Sequence, residues 1–144
     1  MENDNGRISW LVNYLLDTHT LIWSILQVDK ISAPVRAILQ DSRNNIAVSV
    51  VSFWEVSIKY GLGKIKLNGV TPEDFPTEAE KSNYTILTLK PSEATSGHQL
   101  TWLGNHRDPF DRILIWQAIQ NNMTIVSNDA DFGLYRTLGL KLIW

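Results

Sequence analysis

The stretch WLVNYLLDTHTLIWSILQ, residues 10–27, sets the first two elements of the fold. Residues 10–16 are an apolar run that is too short for a helix and ends at Asp17, which predicts a buried strand. Residues 18–27 carry apolar side chains at the spacing of an amphipathic helix. A buried strand that passes directly into a helix is typical of α/β proteins.

The same alternation continues along the chain. Further strands are predicted at residues 46–49, 85–89, 124–127 and 140–144. Helices are predicted at residues 32–41, 51–62, 71–83 (with an interruption at Pro76), 91–102, 108–121 and 131–138. The strands are continuous apolar runs, as expected of a parallel sheet with helices on both faces.

Length and composition describe one domain and are compatible with a reducing compartment. The chain has 144 residues, of which 44% are hydrophobic, enough for one core. It has no Cys, which excludes disulfides, thiolate metal sites and a Cys nucleophile. We expect a cytoplasmic protein in which residues 12–144 form the domain and residues 1–11 are an N-terminal extension.

The chain shows no sign of a membrane partner. No apolar run approaches the roughly 20 residues that span a bilayer, and the start MENDNGRISW does not resemble a signal peptide. The net charge of -2 does not predict a nucleic-acid-binding protein. It does not exclude one either, because a local basic patch is sufficient.

Four carboxylates stand where predicted strands end or helices begin: Asp17, Glu55, Asp111 and Asp129. In an open parallel sheet, ligands bind beyond the carboxyl ends of the strands. We expect Asp17 and Asp129 to lie at that edge, and Glu55 and Asp111 to face it from the first turns of two helices.

Each acid also has a local structural interpretation. Asp17 can cap the helix that follows it. Glu55 lies three residues after Ser52, the pattern of a capping box. Asp111 lies in a first helical turn after Asp108, where the helix dipole favours an acid, and it also alternates with arginines that can form an ion-pair cluster.

The fourth acid has a rival in its own segment. Asp129 lies in a polar turn that leads into a predicted helix, and Asp131 can take its place at the site. Four carboxylates at one edge repel each other unless a cation lies between them. Their hard oxygen ligands favour Mg²⁺ or Mn²⁺, and a site of this kind suits phosphate chemistry better than a zinc site does.

Four motifs carry a resemblance to a known family: LLDTHTLIW (residues 15–23), SVVSFWEVSIKYGLGKIKL (49–67), HRDPFDRILIWQA (106–118) and SNDADF (127–132). Together they resemble the PIN domain family, close to the toxin nucleases of bacterial VapBC toxin–antitoxin pairs. The resemblance spans nearly the whole chain after the first ten residues. It implies a three-layer α/β/α sandwich with a central parallel sheet of about five strands, and a Mg²⁺- or Mn²⁺-dependent endoribonuclease.

The resemblance assigns roles by motif position. The implied catalytic and metal-binding acids are Asp17, Glu55, Asp111 and Asp129, the last at a position that varies more in the family. Thr18 and Ser127 match supporting positions next to the site, and Asp131 is a further supporting candidate because of its place in the SNDADF segment. One departure is Trp116, where relatives usually carry a small residue.

Binding of a polynucleotide also needs cations. The basic residues near the motifs are Lys59, Lys64, Lys66, Arg107 and Arg112. They are candidate RNA contacts, although Arg112 can instead pair with an acid and the lysines can be solvated. His19 and His106 lie near the acids, but we interpret them as packing or hydrogen-bonding residues.

The sequence therefore predicts an endoribonuclease that cleaves single-stranded RNA as the toxin of a type II pair. Its expected partners are RNA, a cognate antitoxin and a second copy of the chain. Trp23, Leu26 and Trp54 are candidate apolar contacts, with burial in the core as the alternative. Two other functions stay open: a PIN-like nuclease outside such a pair, acting in RNA processing or on DNA, and a catalytically silent binding domain.

Overall fold

The computed structural model describes residues 12–144. Its five strands are β1 (Asn13–Leu16), β2 (Asn45–Ser49), β3 (Thr85–Leu87), β4 (Thr124–Val126) and β5 (Lys141–Ile143). They form one parallel sheet in the order β3-β2-β1-β4-β5. The predicted parallel five-stranded sheet is thus confirmed, although residues 10 and 11 of the first predicted strand and the N-terminal extension lie outside the described residues.

Six α-helices surround the sheet: α1 (Thr18–Leu26), α2 (Ala33–Gln40), α3 (Val50–Gly61), α4 (Phe75–Lys81), α5 (Pro91–Ser96) and α6 (Pro109–Gln120). Short 3₁₀ segments lie at Val28–Lys30, Pro72–Asp74, Gly97–Gln99 and Ala130–Leu138. The last of these was predicted as an ordinary helix. None of the helices within residues 12–144 combines the length and apolar character needed to cross a membrane.

Two predicted helices have different bounds in the structure. Pro76 does not interrupt a helix, because it lies in the first turn of α4, where a missing N–H costs nothing. The helix predicted over residues 91–102 ends at Ser96 and continues only as a 3₁₀ turn.

The sheet is covered on both faces. Along β1, Tyr14 and Leu16 belong to one buried cluster, whereas Leu15 belongs to the other. Because successive side chains of a strand point to opposite faces, these two clusters are two cores. The fold is therefore the predicted three-layer α/β/α sandwich.

The tryptophans divide between core and surface. Trp23 is half-buried and packs edge-on against Trp144, with ring centroids 5.9 Å apart. Trp54 is 63% exposed, so its burial in the core was the wrong alternative. Trp116, the departure from the family pattern, is half-buried between α5 and α6, and its Nε1 donates a hydrogen bond to Ser96 Oγ.

Candidate active site at the carboxyl edge of the sheet

Asp17 lies at the centre of the sheet's carboxyl edge. It follows β1 beside β4, and its backbone N–H donates to Val126 O. This is where the strand order reverses, the place at which open α/β sheets bind ligands. Its side chain caps α1 by accepting from the Thr20 N–H at 2.8 Å, so the capping interpretation is correct. Burial raises the pKa of the Asp17 carboxyl, and hydrogen bonds from Ser127 and Thr20 oppose that rise.

Ser127 connects Asp17 to the fourth acid. Its hydroxyl accepts from the Asp129 N–H at 3.0 Å, and its nearness to Asp17 opposes the rise in the pKa of that carboxyl. Asp129 in turn caps the last 3₁₀ segment by accepting from the Asp131 N–H. The structure therefore brings Asp129 next to Asp17, while Asp131 lies further along the chain and is exposed.

Glu55 is buried, with 2% of its surface exposed, and it contacts the residue after Asp17. Thr18 Oγ1 donates to Glu55 Oε1 at 2.6 Å and lies 3.1 Å from Ser52 Oγ. Glu55 Oε2 forms an ion pair with Lys59. Thr18 thus contacts Glu55 from the position directly after Asp17.

The capping box predicted from Ser52 to Glu55 is wrong. The cap of α3 is Ser49, whose hydroxyl accepts from the Val51 N–H. The helix therefore begins three residues earlier than a cap at Ser52 would place it. Glu55 consequently lies in the second turn rather than the first. With this start, neither Ser52 nor Glu55 caps the helix, and both side chains contact Thr18 instead.

Asp111 lies in the first turn of α6, as predicted. The cap is Asp108, whose Oδ1 accepts from the backbone N–H groups of Phe110 and Asp111. The Asp111 carboxylate is therefore free of the cap. Burial, together with the negative charges of Asp108 and Glu55, raises the pKa of Asp111 to about 7, against a lowering hydrogen bond from His106.

A chain of hydrogen-bond contacts runs from Arg112 through Tyr135 and His106 to Asp111. Arg112 Nη1 donates to Tyr135 Oη at 3.0 Å, Tyr135 Oη lies 2.7 Å from His106 Nδ1, and His106 Nε2 lies 3.2 Å from Asp111 Oδ2. Arginine can only donate, so the tyrosine hydroxyl accepts from Arg112 and is left to donate its own hydrogen bond to Nδ1 of a neutral imidazole. In that tautomer the imidazole proton lies on Nε2, which faces the Asp111 carboxyl.

Arg112 is placed differently from its predicted role as an RNA contact. It is buried, and its guanidinium donates to Leu100 O and Thr101 O and stacks 3.7 Å from the Trp102 ring. Its donors are directed at the protein itself. Arg107 lies over the same ring at 4.9 Å and donates to Gly104 O.

The lysines also differ from one another. Lys59 is paired with Glu55, whereas Lys64 and Lys66 are exposed after the end of α3. A phosphate can approach the two exposed lysines without breaking an ion pair with an acid of the site.

Two clefts border the acids. One is lined by Asp17, His19, Trp23, Asn128 and Asp129. The other is lined by Asn105, His106, Arg107, Asp108, Asp111, Asp129, Asp131 and Leu134. Asp129 belongs to both clefts, sharing one with Asp17 and the other with Asp111.

The donor set fits a hard divalent cation. Its oxygens come from carboxylates and hydroxyls, the ligands that Mg²⁺ and Mn²⁺ prefer. Burial disfavours the charged forms of Asp17 and Asp111, and a cation would offset that cost. Within residues 12–144, no three acidic or histidine side chains are already gathered at mutual metal-binding distances.

Sequence reasoning missed three contributors to this site. Tyr135 lies 29 residues from the His106 that it contacts, and no local pattern marks it. The sequence pattern around Ser52 indicates a helix cap and not a contact with Thr18. Asn128 lies in the SNDADF motif beside Asp129, and its place in the first cleft could have been suspected from that position.

The sheet order and the acids at its centre define an α/β domain with a carboxylate site at the topological switch point. Residues 14–137 match the PIN domain, and the chain belongs to that family. PIN domains are generally nucleases that use divalent metal ions. No curated protein sequence matches the chain.

Several solved structures share the fold. VapBC2 from Rickettsia felis, bound to a DNA fragment from their promoter, is 22% identical with a TM-score of 0.61, over 92% of this chain and 98% of that one. DNA-bound VapBC from Salmonella typhimurium is 20% identical with a TM-score of 0.61, over 92% and 98%. FitAcB from Neisseria gonorrhoeae is 19% identical with a TM-score of 0.58, over 91% and 96%.

Proposed function

We propose that this protein is a Mg²⁺- or Mn²⁺-dependent endoribonuclease that cleaves single-stranded RNA as the toxin of a type II toxin–antitoxin pair. The observation that carries the proposal is the position of two buried acids, Asp17 and Glu55, at the switch point of a PIN domain. Thr18, the residue after Asp17, donates to Glu55, and Ser127 accepts from the Asp129 N–H.

Three acids are proposed to hold the metal, namely Asp17, Glu55 and Asp111, with Asp129 completing the site or holding a second ion. When bound, such an ion activates a water molecule and neutralises charge on a phosphodiester. Ser127 holds the segment of Asp129 by accepting from its backbone N–H, and Thr18 orients Glu55 by donating a hydrogen bond to its carboxylate. His106 fixes the Asp111 carboxylate by the same means.

Basic residues at the rim are proposed to bind the RNA backbone. Lys64 and Arg107 are suited to this role, because Lys64 is exposed and Arg107 lines the cleft that contains Asp111. Binding through such contacts weakens with salt. Arg112 is not part of the proposed RNA surface, since its guanidinium is directed at backbone carbonyls.

The proposed partners are an antitoxin and a second copy of the chain. The support is that structures sharing this fold are toxin–antitoxin complexes. An apolar surface next to the site is available for such contacts, because exposed Trp54 packs edge-on against Phe110, with ring centroids 5.5 Å apart. Light scattering of the isolated chain at micromolar concentration tests the homodimer, and a monomer would count against it.

The experiment that tests the proposed activity compares unstructured RNA and DNA oligonucleotides of the same base sequence, each with Mn²⁺ and with EDTA. Cleavage of the RNA alone, and only with the metal, is the expected result, with 5′-phosphate and 3′-hydroxyl ends. Preferential cleavage of DNA would favour a DNA nuclease. The absence of any cleavage would favour a catalytically silent binding domain.

A further inference from the structure

Lys59 contacts the acids of the site from within the same helix. It lies four residues after Glu55 on α3, and its ammonium pairs with Glu55 Oε2. The Glu55 side chain is 3% exposed, whereas that of Lys59 is 28% exposed. Because Thr18 donates to the other oxygen, both oxygens of this buried carboxylate already have a partner.

The charge of Lys59 acts on more than one acid. Burial lowers the pKa of the Lys59 ammonium. The pair with Glu55 and the negative charges of Asp108 and Asp111 raise this pKa by more, so the net pKa is raised. Lys59 is therefore paired with Glu55 and also feels the negative charges of Asp108 and Asp111.

No other Lys or Arg within residues 12–144 forms an ion pair with these acids. The remaining pairs are Arg43 with Asp41, Lys81 with Glu78, and His106 with Asp111. Arg112, the nearest buried cation in sequence to Asp111, donates to carbonyls and to Tyr135 instead. The neutralisation of Glu55 thus depends on a single side chain.

We infer that Lys59 is a built-in counter-ion of the metal-free site, and that a divalent cation must displace its ammonium from Glu55 in order to bind. The inference rests on the proposed metal site. An ammonium and a divalent cation on the same buried carboxylate repel each other, so binding of the metal is favoured when the ammonium leaves. The partly exposed Lys59 chain, with its four methylene groups, is free to move outward when a metal takes its place.

This role has two consequences of opposite sign. Loss of the lysine charge leaves Glu55 buried and unpaired, which destabilises the metal-free protein. The same loss removes the competitor, which tightens metal binding. A salt bridge that only supports the fold would produce the first effect without the second.

The test is a calorimetric titration of the full chain with Mn²⁺ at fixed pH and ionic strength. We expect Lys59→Met to bind Mn²⁺ about five- to tenfold more tightly than the wild type, the size of a partly buried ion pair. Lys59→Arg keeps the charge and should bind as the wild type does. In EDTA, Lys59→Met should melt at a lower temperature.

Lys81 provides the matched control. It forms an ion pair with Glu78 on α4, with the lysine side chain 70% exposed. Lys81→Met therefore removes the same charge and a similar helical pair at a different place. Its affinity for Mn²⁺ should equal that of the wild type, which separates the loss of this counter-ion from a general change in net charge.

The outcomes distinguish this inference from the proposed function. If the wild type binds no Mn²⁺, the metal site itself is wrong. If the wild type binds Mn²⁺ and Lys59→Met binds it equally or more weakly, the counter-ion role is overturned and the metal site stands. The same holds if Lys81→Met or Lys59→Arg tightens Mn²⁺ binding as much as Lys59→Met does. If Lys59→Met does not fold in EDTA by circular dichroism, Lys59→Gln carries the same expectation, because its amide can still donate to Glu55.

Discussion

His106 Nε2 lies 3.2 Å from Asp111 Oδ2, and the other ring nitrogen, Nδ1, lies 2.7 Å from the Tyr135 hydroxyl. This relationship makes His106 a positioning residue. It holds one carboxylate of the proposed metal site through a hydrogen bond whose direction is set by Arg112 and Tyr135.

Removal of the Tyr135 hydroxyl should therefore weaken metal binding at the site without abolishing it. In Tyr135→Phe, His106 Nδ1 loses its donor and is free to take up the proton, so Nε2 no longer has to donate to Asp111. We expect Mn²⁺ affinity and RNA cleavage to fall about tenfold, with a loss of roughly 1–2 kcal/mol of stability. Nitrogen-15 spectra of labelled histidine should show a change of tautomer at His106.

Tyr60→Phe is the control for this change, because Tyr60 is an exposed tyrosine on α3. It should leave the His106 spectrum, metal affinity and cleavage unchanged. An unaltered His106 tautomer in Tyr135→Phe would show that the hydroxyl does not direct the imidazole.

The pH dependence of stability should reveal the raised pKa of Asp111, which is about 7 in the folded protein and about 3.8 in the unfolded chain. Between these values the folded state binds the extra proton, so the contribution of Asp111 to stability decreases as pH rises from about 4 to 7. Asp111→Asn should consequently stabilise the metal-free protein at pH 8, and this gain should shrink at pH 5.

Thermal melts in EDTA across this pH range measure the effect. Asp29→Asn, a change at an exposed acid in the 3₁₀ turn after α1, serves as the control and should show no such trend. An Asp111→Asn variant that melts below the wild type at pH 8 would contradict the predicted burial of charge.

Ser127→Ala should affect both acids that its hydroxyl connects. Asp17 would lose a hydrogen bond that opposes the rise of its pKa, and the Asp129 N–H would lose its acceptor. We expect Mn²⁺ binding to weaken by about tenfold, since support of a metal ligand by a second residue is typically worth ten- to a hundredfold. Ser24→Ala on α1, where the hydroxyl donates to Leu21 O, is the matched change away from the acids.

Asp129 and Asp131 can be ranked by the RNA cleavage of their variants. Asp129 lies in both clefts and next to Ser127, whereas Asp131 borders only the cleft of Asp111. Asp129→Asn should therefore reduce RNA cleavage more than Asp131→Asn does. The reverse order would assign the fourth position to Asp131.

The sequence was sufficient for the sheet and for the place of Asp17, because a buried strand that ends at an acid and passes into a helix is a local pattern. It was not sufficient for the start of α3. Ser49 and Ser52 are both good caps, and only the end of β2 in the folded chain decides between them.

Contacts between distant segments were also beyond local patterns. The sequence placed Arg112 near Asp111 and suggested an RNA contact or a pair with an acid. The folded chain instead gives it backbone carbonyls, Tyr135 and the face of Trp102. Such partners depend on how α6 packs against the segments on either side of it, and periodicity does not encode this.

The most direct test of the proposed site is cleavage of a single-stranded RNA by Asp17→Asn and by the wild type, both with Mn²⁺. Asparagine can still accept the hydrogen bond from the Thr20 N–H, so the cap of α1 should persist. We predict that the variant folds, as judged by circular dichroism, and loses at least about a hundredfold of its cleavage rate, as expected when a metal ligand is removed. A folded Asp17→Asn variant that cleaves at the wild-type rate would contradict the account.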